Sequence, residues 1–91
     1  MTRRGYRAAL AALQGQRVPL FATIHSISRG NVLLRDLIVP GGRCRYAWVP
    51  AKQWRAGPPQ IGDRPELMAT VLPYWRDDDS KDFGLVEVVR P

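Results

Sequence analysis

Residues 62–74 read Gly-Asp-Arg-Pro-Glu-Leu-Met-Ala-Thr-Val-Leu-Pro-Tyr, and this stretch decides the fold. It opens with Gly62-Asp63, which suits a tight turn because Gly tolerates a positive φ and Asp bonds to nearby backbone N–H groups. The residues after the turn then alternate between two faces, as they do in a β-strand. One face carries Leu67, Ala69 and Val71, and the other carries Met68, Thr70 and Leu72. The stretch therefore predicts a turn that begins a strand.

Other segments share this alternation or are rich in β-branched and aromatic residues. The predicted strands are Val18 to Ile27, Val32 to Val39, Tyr46 to Val49, Glu66 to Leu72 and Phe83 to Val89. A turn at residues 28–31 makes the first two a hairpin, and residues 75–82 form a polar loop. Five short strands with a break between the third and fourth are typical of the OB-fold, a partly open Greek-key barrel. An SH3-like barrel ranks second.

Before the strands, residues 2–14 are predicted to form an α-helix. Its apolar residues recur with helical spacing, Thr2 is a plausible N-cap, and Gly15 is a plausible stop. The prediction is thus a mostly β protein, a five-stranded OB-fold-like Greek-key barrel over residues 18–91 with an N-terminal helix. A chain of 91 residues has room for one domain. The predicted core is Leu20, Ile24, Leu34, Leu37, Val49, Leu67, Ala69, Val71, Phe83 and Leu85.

The composition indicates a globular domain, with 45% hydrophobic residues and no apolar run near the ~20 residues of a membrane span. Cys44 is the one cysteine, so an intramolecular disulfide is excluded and a cytoplasmic location is the default expectation. Its neighbours Arg43 and Arg45 would favour a reactive thiolate, although a spectator thiol is the simpler interpretation.

The chain is basic, with 14 Lys and Arg against 8 Asp and Glu, a net charge of +6 and a pI near 10.5. An excess of this size is common in proteins that bind nucleic acid, and it also keeps small proteins soluble. Composition alone leaves both explanations open.

Five short motifs follow one another in a fixed order over roughly residues 20–91. They are Leu33-Leu34-Arg35-Asp36, Trp48-Val49, Gly62-Asp63-Arg64, Ala69-Thr70-Val71-Leu72-Pro73-Tyr74 and Asp82-Phe83-Gly84-Leu85. In their order and spacing the chain resembles a group of small OB-fold proteins found in prophages and mobile elements. Two positions depart from that pattern: Ala47 replaces a common histidine, and Pro65 stands where an apolar strand residue is usual. The resemblance implies an OB-fold and a nucleic-acid-binding function.

The sequence offers little for catalysis, metal binding or a cofactor, and none of the three is predicted. His25 is the one histidine, and no third group is evident that would orient it against a nucleophile. The run Asp77-Asp78-Asp79, followed by Asp82, lacks the glycine and the spacing of an EF-hand loop. A solvated loop is the favoured interpretation of these carboxylates.

The aromatic residues of the second half of the chain are interleaved with cations, a pattern that suits binding of a single strand of DNA or RNA through stacking and phosphate contacts. The predicted contact residues are Arg43, Arg45, Trp48, Lys52, Trp54, Arg55, Tyr74, Trp75 and Arg76. Trp54 and Trp75 are expected in loops. The acidic run at 77–79 would repel phosphate, so a protein-interaction module, such as a small phage-encoded inhibitor of a host nucleic-acid-binding machine, is the alternative.

Overall fold

The computed structural model describes residues 8–75 and 77–91. The protein is mostly β, with a five-stranded antiparallel sheet after a short N-terminal helical segment. The strands are β1 (Arg17–Ser28), β2 (Asn31–Val39), β3 (Gly42–Pro50), β4 (Glu66–Trp75) and β5 (Lys81–Val89), with a 3₁₀ turn at Ala51–Gln53. Within the described residues, no helix has the length and apolar character that crossing a membrane requires.

The strand order is β3-β2-β1-β4-β5, so the long β1 lies in the middle of the sheet. Its first residues pair with β4 and its later residues pair with β2. The end strands β3 and β5 are not joined by a ladder in the described part of the chain. Residues of β3 and β5 are nevertheless in contact. After the 3₁₀ turn that follows β3, Trp54 forms a parallel bridge with Val88 of β5, and the Arg55 N–H donates to the Val88 carbonyl at 2.7 Å. The sheet therefore curls until its two ends are neighbours, without being closed by strand pairing.

The core lies on the concave side of this curled sheet. On β4 the alternation is as predicted, with Leu67, Ala69 and Val71 buried and Leu72 exposed. The predicted core residues are all buried except Phe83, which is half-buried and packs against the core. Leu10 and Leu13 from the helical segment join the same cluster. The predicted turn is also confirmed, since Gly62 has a φ of +92°.

Three predicted boundaries need correction. The N-terminal segment is helical only over residues 8–11 and continues as turns to residue 15, while residues 2–7 lie outside the described part. Strand β3 begins at Gly42 instead of Tyr46, because Arg43 and Cys44 already pair with β2. The polar loop is shorter than residues 75–82, because Trp75 pairs with Lys81 and both belong to strands. In the two strand corrections, pairing with a neighbouring strand extends the strand beyond what the local pattern indicates.

Candidate nucleic-acid interface

Two aromatic side chains of β3 point away from the core. Tyr46 and Trp48 are 41% and 40% exposed, while Ala47 and Val49 between and beyond them are buried. This is the strand alternation that the sequence contains, with the aromatic residues on the outer face. The ring of His25, on β1, lies edge-on to Tyr46, with ring centroids 6.0 Å apart and planes at 63°. The outer face of β1–β2–β3 thus carries large rings that are accessible to a ligand.

Trp48 also faces β4 and β5 across the gap between the two end strands of the sheet. Two adjoining depressions of about 340 and 560 Å³ share Trp48 and Tyr74 in their walls. Together we call them the aromatic groove, defined by Leu33, Tyr46, Trp48, Leu72, Tyr74 and Phe83. The structure therefore brings together two predicted contact residues, Trp48 and Tyr74, that are separated by 26 positions in the sequence.

Tyr74 is held in place by a carboxylate beneath the groove. Its hydroxyl donates to Asp82 Oδ2 at 3.2 Å, and Asp82 Oδ1 accepts a bond from the Phe83 N–H at 2.8 Å. Asp82 is only 3% exposed, so its oxygens face protein donors and not the solvent. The Lys81 ammonium lies over the ring of Phe83, 5.6 Å from the ring centroid. A buried polar anchor of this kind fixes the orientation of an aromatic ring at a surface.

Gly84 forms the floor of the aromatic groove, where a side chain would be crowded. A Cβ atom at this position would lie 3.3 Å from the Trp48 carbonyl oxygen and 3.4 Å from two ring carbons of Tyr74. The missing side chain lets Tyr74 lie over β5 and lets β3 approach. The groove therefore depends on this glycine.

We expect Gly84→Val to displace the Tyr74 ring and to lower the free energy of unfolding by about 1–3 kcal/mol, since extra methyl groups would overpack the contact. Urea unfolding followed by tryptophan fluorescence measures this. Gly30→Val is the matched control, because a Cβ at Gly30 meets nothing within 4 Å. Equal losses in the two variants would show that the close approach at Gly84 is unimportant.

A third depression, of about 460 Å³, lies on the neighbouring part of β2–β3. Its walls include Arg43, Arg45 and Arg64, and we call these three residues the arginine pocket. Arg64 is held there by a hydrogen bond from Nη1 to Thr23 Oγ1 at 2.9 Å. Arg45 of the pocket and Tyr46 of the groove are consecutive residues of β3, and both are exposed.

An irregularity of the backbone places the cation of Arg45 and the ring of Tyr46 side by side. Asp36 on β2 has a φ of +52°, and the β1–β2 register shifts between Phe21 and Thr23. Such a bulge re-aims side chains. As a result two consecutive residues are exposed on each strand, Arg35 and Asp36 on β2 and Arg45 and Tyr46 on β3. A regular strand would have turned one residue of each pair toward the core.

The other predicted contact residues lie elsewhere. Trp54 is half-buried against the core, and its Nε1–H donates to the Gly57 carbonyl at 2.6 Å. Lys52 and Arg55 flank it and are exposed. Trp75, 71% exposed, ends β4. None of these four lines the aromatic groove or the arginine pocket, and Arg76 lies outside the described residues.

Three residues at or beside the aromatic groove and the arginine pocket were not predicted as contact residues from the sequence: Arg35, Arg64 and Phe83. Arg35 pairs with Tyr46 on β3 and with Thr23 on β1, so it stands in the middle of the outer face. The signal in the sequence was its place directly after the buried Leu34, because alternation along β2 turns the next residue outward. Arg64 had no local signal, because its position depends on Thr23, 41 residues earlier in the chain.

The structure shows no arrangement for metal binding among the residues that it describes: no group of three or more His, Cys, Asp or Glu side chains converges. Asp78 instead closes its own loop, with Oδ1 accepting bonds from the Ser80 N–H and hydroxyl. Cys44 is buried, and its thiol donates to the Tyr46 carbonyl at 3.0 Å.

No protein-family profile, curated protein or solved structure matches this chain.

Proposed function

We propose that this protein is a cytoplasmic, non-enzymatic module that binds single-stranded DNA or RNA. The observation that carries the proposal is that the arginine pocket and the aromatic groove follow one another along β3, with Arg45 in the wall of the first and Tyr46 in the wall of the second. Aromatic rings stack on bases of any sequence, and one guanidinium group can bind two oxygens of a phosphate at once. Proteins that bind single strands combine these two elements.

We further propose that the curled sheet is an OB-fold-like Greek-key barrel, related to the small OB-fold proteins of prophages and mobile elements. The contacts between β3 and β5 support this proposal. So does the position of the exposed rings, since OB-folds bind oligonucleotides on the face of strands 2 and 3. In this protein Leu33 and Arg35 on β2, with Tyr46 and Trp48 on β3, occupy that face.

A fluorescence titration with labelled single strands at several salt concentrations tests the proposal. Affinity is expected to fall as salt rises, because phosphate contacts release counterions. The double variant Arg43→Ala with Arg45→Ala removes two contacts and is expected to reduce the slope of log K against log salt by about 1.4.

The control removes the same charge at a different place. The double variant Lys52→Ala with Arg55→Ala is expected to keep the wild-type slope, because neither residue lines the proposed interface. If this control flattens the slope and the Arg43 and Arg45 variant does not, the strand binds around the 3₁₀ turn. If the wild type shows no salt-sensitive affinity at micromolar concentration, the nucleic-acid proposal fails.

The second candidate function is a protein-interaction module. It is favoured by the larger depression of the aromatic groove, whose walls include Pro50, Leu72 and Val86, and by the exposed carboxylates of residues 77–79. An apolar depression beside an acidic loop suits a partner with an apolar anchor and a basic rim. Failure of the salt titration would make this candidate the leading one.

A further inference from the structure

We propose that the arginine pocket binds a phosphomonoester, the terminal phosphate of a strand whose bases lie in the aromatic groove. This inference rests on the proposed function and deepens it. It assigns to the pocket a ligand group that differs from the phosphodiesters inside a strand. A phosphomonoester carries a charge of about −1.5 to −2 at neutral pH and offers three terminal oxygens, whereas each internal phosphodiester carries one negative charge.

The number of donors in the pocket favours the more highly charged group. Each guanidinium group offers five N–H donors in a planar fork. Three arginines line this one depression. Arg43 and Arg45 are two residues apart on β3 and are both exposed, on either side of the buried Cys44, so their Cα atoms lie about 7 Å apart along the strand. Three positive charges around one depression match a phosphomonoester better than the single negative charge of a diester.

The pocket is partly organised before a ligand binds. The bond from Arg64 to Thr23 Oγ1 holds one guanidinium against β1 and leaves its remaining N–H groups for a ligand. Asp36 also lines the pocket, and its Oδ2 lies 3.7 Å from Arg35 Nε, an arginine that is not in the pocket wall. Arg35 therefore offsets the one carboxylate, and the three arginines of the pocket remain in excess.

The pocket and the groove are spaced for a short strand. Arg43 and Trp48 are five residues apart on β3, which corresponds to about 17 Å. A strand that ends in the pocket would thus pass Tyr46 and reach Trp48 with its first few bases.

The test compares three strands of one sequence that end in a 5′-phosphate, in a 3′-phosphate, or in hydroxyls at both ends. We expect one of the phosphorylated strands to bind at least about fivefold tighter than the hydroxyl-ended strand, as charge-assisted hydrogen bonds imply. Arg64→Gln is expected to abolish that preference, because it should weaken the binding of the phosphorylated strand about fivefold more than the binding of the hydroxyl-ended strand.

Arg17→Gln is the matched control, because Arg17 is an exposed arginine whose Nη1 also donates to a threonine hydroxyl, that of Thr70 at 3.2 Å. It lies outside the pocket and is expected to keep the preference for the phosphorylated strand. Loss of the preference in both variants would overturn the assignment to the pocket.

Two further outcomes separate this inference from the proposed function. If the three strands bind equally, the inference is wrong and the proposed function stands. If adenosine monophosphate binds while no strand binds, the proposed function is wrong, and so is the assignment of the phosphate to a strand end.

Discussion

Trp48→Ala is expected to weaken the binding of single-stranded DNA or RNA by about 5- to 150-fold, the equivalent of the 1–3 kcal/mol that one stacked base contributes. Trp48 stands at the junction of the two depressions of the aromatic groove, and its ring is 40% exposed. Its removal takes away the largest flat surface of the groove. The measurement is a fluorescence anisotropy titration at fixed salt.

Two variants make this result specific. Trp48→Phe is expected to recover most of the affinity, because a smaller ring still stacks. Trp75→Ala is expected to bind like the wild type, although its ring is the more exposed of the two. Should Trp75→Ala weaken binding more than Trp48→Ala does, the strand would contact the end of β4, as the sequence pattern predicts, and the aromatic groove would not be the interface.

The strands were predictable because the sequence repeats one physical signal. From Leu67 to Leu72 the period-two alternation places apolar residues on one face, and the structure buries that face. Where the signal was misinterpreted, the error has a cause. Arg43-Cys44-Arg45 also alternates, with a buried cysteine between exposed arginines, yet the nearby Pro40-Gly41-Gly42 turn suggested that the strand began later.

The candidate site was predictable in composition and not in arrangement. The pattern predicted that aromatic rings and cations act together, and it included Trp48, Tyr74, Arg43 and Arg45. It could not show that Trp48 meets Tyr74, because that contact requires β3 and β5 to approach at Gly84. No local property of either strand specifies this approach, which follows from the order of all five strands.

Trp54 shows what a loop position leaves open about the surroundings of a ring. A ring between two cations in a segment rich in Gly and Pro suggests a ligand contact. In the structure its indole N–H is bonded to the Gly57 carbonyl, and its ring packs against the core. The residues around it also cover the edge of β5, where the Glu87 N–H donates to the side-chain oxygen Oε1 of Gln53 at 3.0 Å. The segment thus protects an exposed strand edge, which small β proteins must do to avoid aggregation.

The largest effect on stability is expected from Val71→Asp. Val71 is fully buried, and both of its backbone polar groups are bonded to the segment before β1. Its N–H donates to the Gln16 carbonyl at 3.0 Å, and its carbonyl accepts the Gly15 N–H at 2.7 Å. The side chain therefore cannot turn away from the core. A domain of this length has a free energy of unfolding of about 5–14 kcal/mol. A buried, unpaired carboxylate costs a large part of that amount, so the variant is expected to be unfolded at room temperature.

The adjacent residue provides the control for this prediction. Leu72→Asp introduces the same carboxylate one position further along β4, where the side chain is 42% exposed. Water remains available to the charge at this position, so a loss of no more than about 1 kcal/mol is expected. Circular dichroism and urea unfolding of the two variants compare the faces of β4 directly. If Val71→Asp folds and melts like the wild type, or if Leu72→Asp unfolds as completely, the assignment of the two faces of β4 is wrong. The position of Leu72 in the wall of the groove would then be wrong as well, because the same alternation that buries Val71 places Leu72 on the outer face.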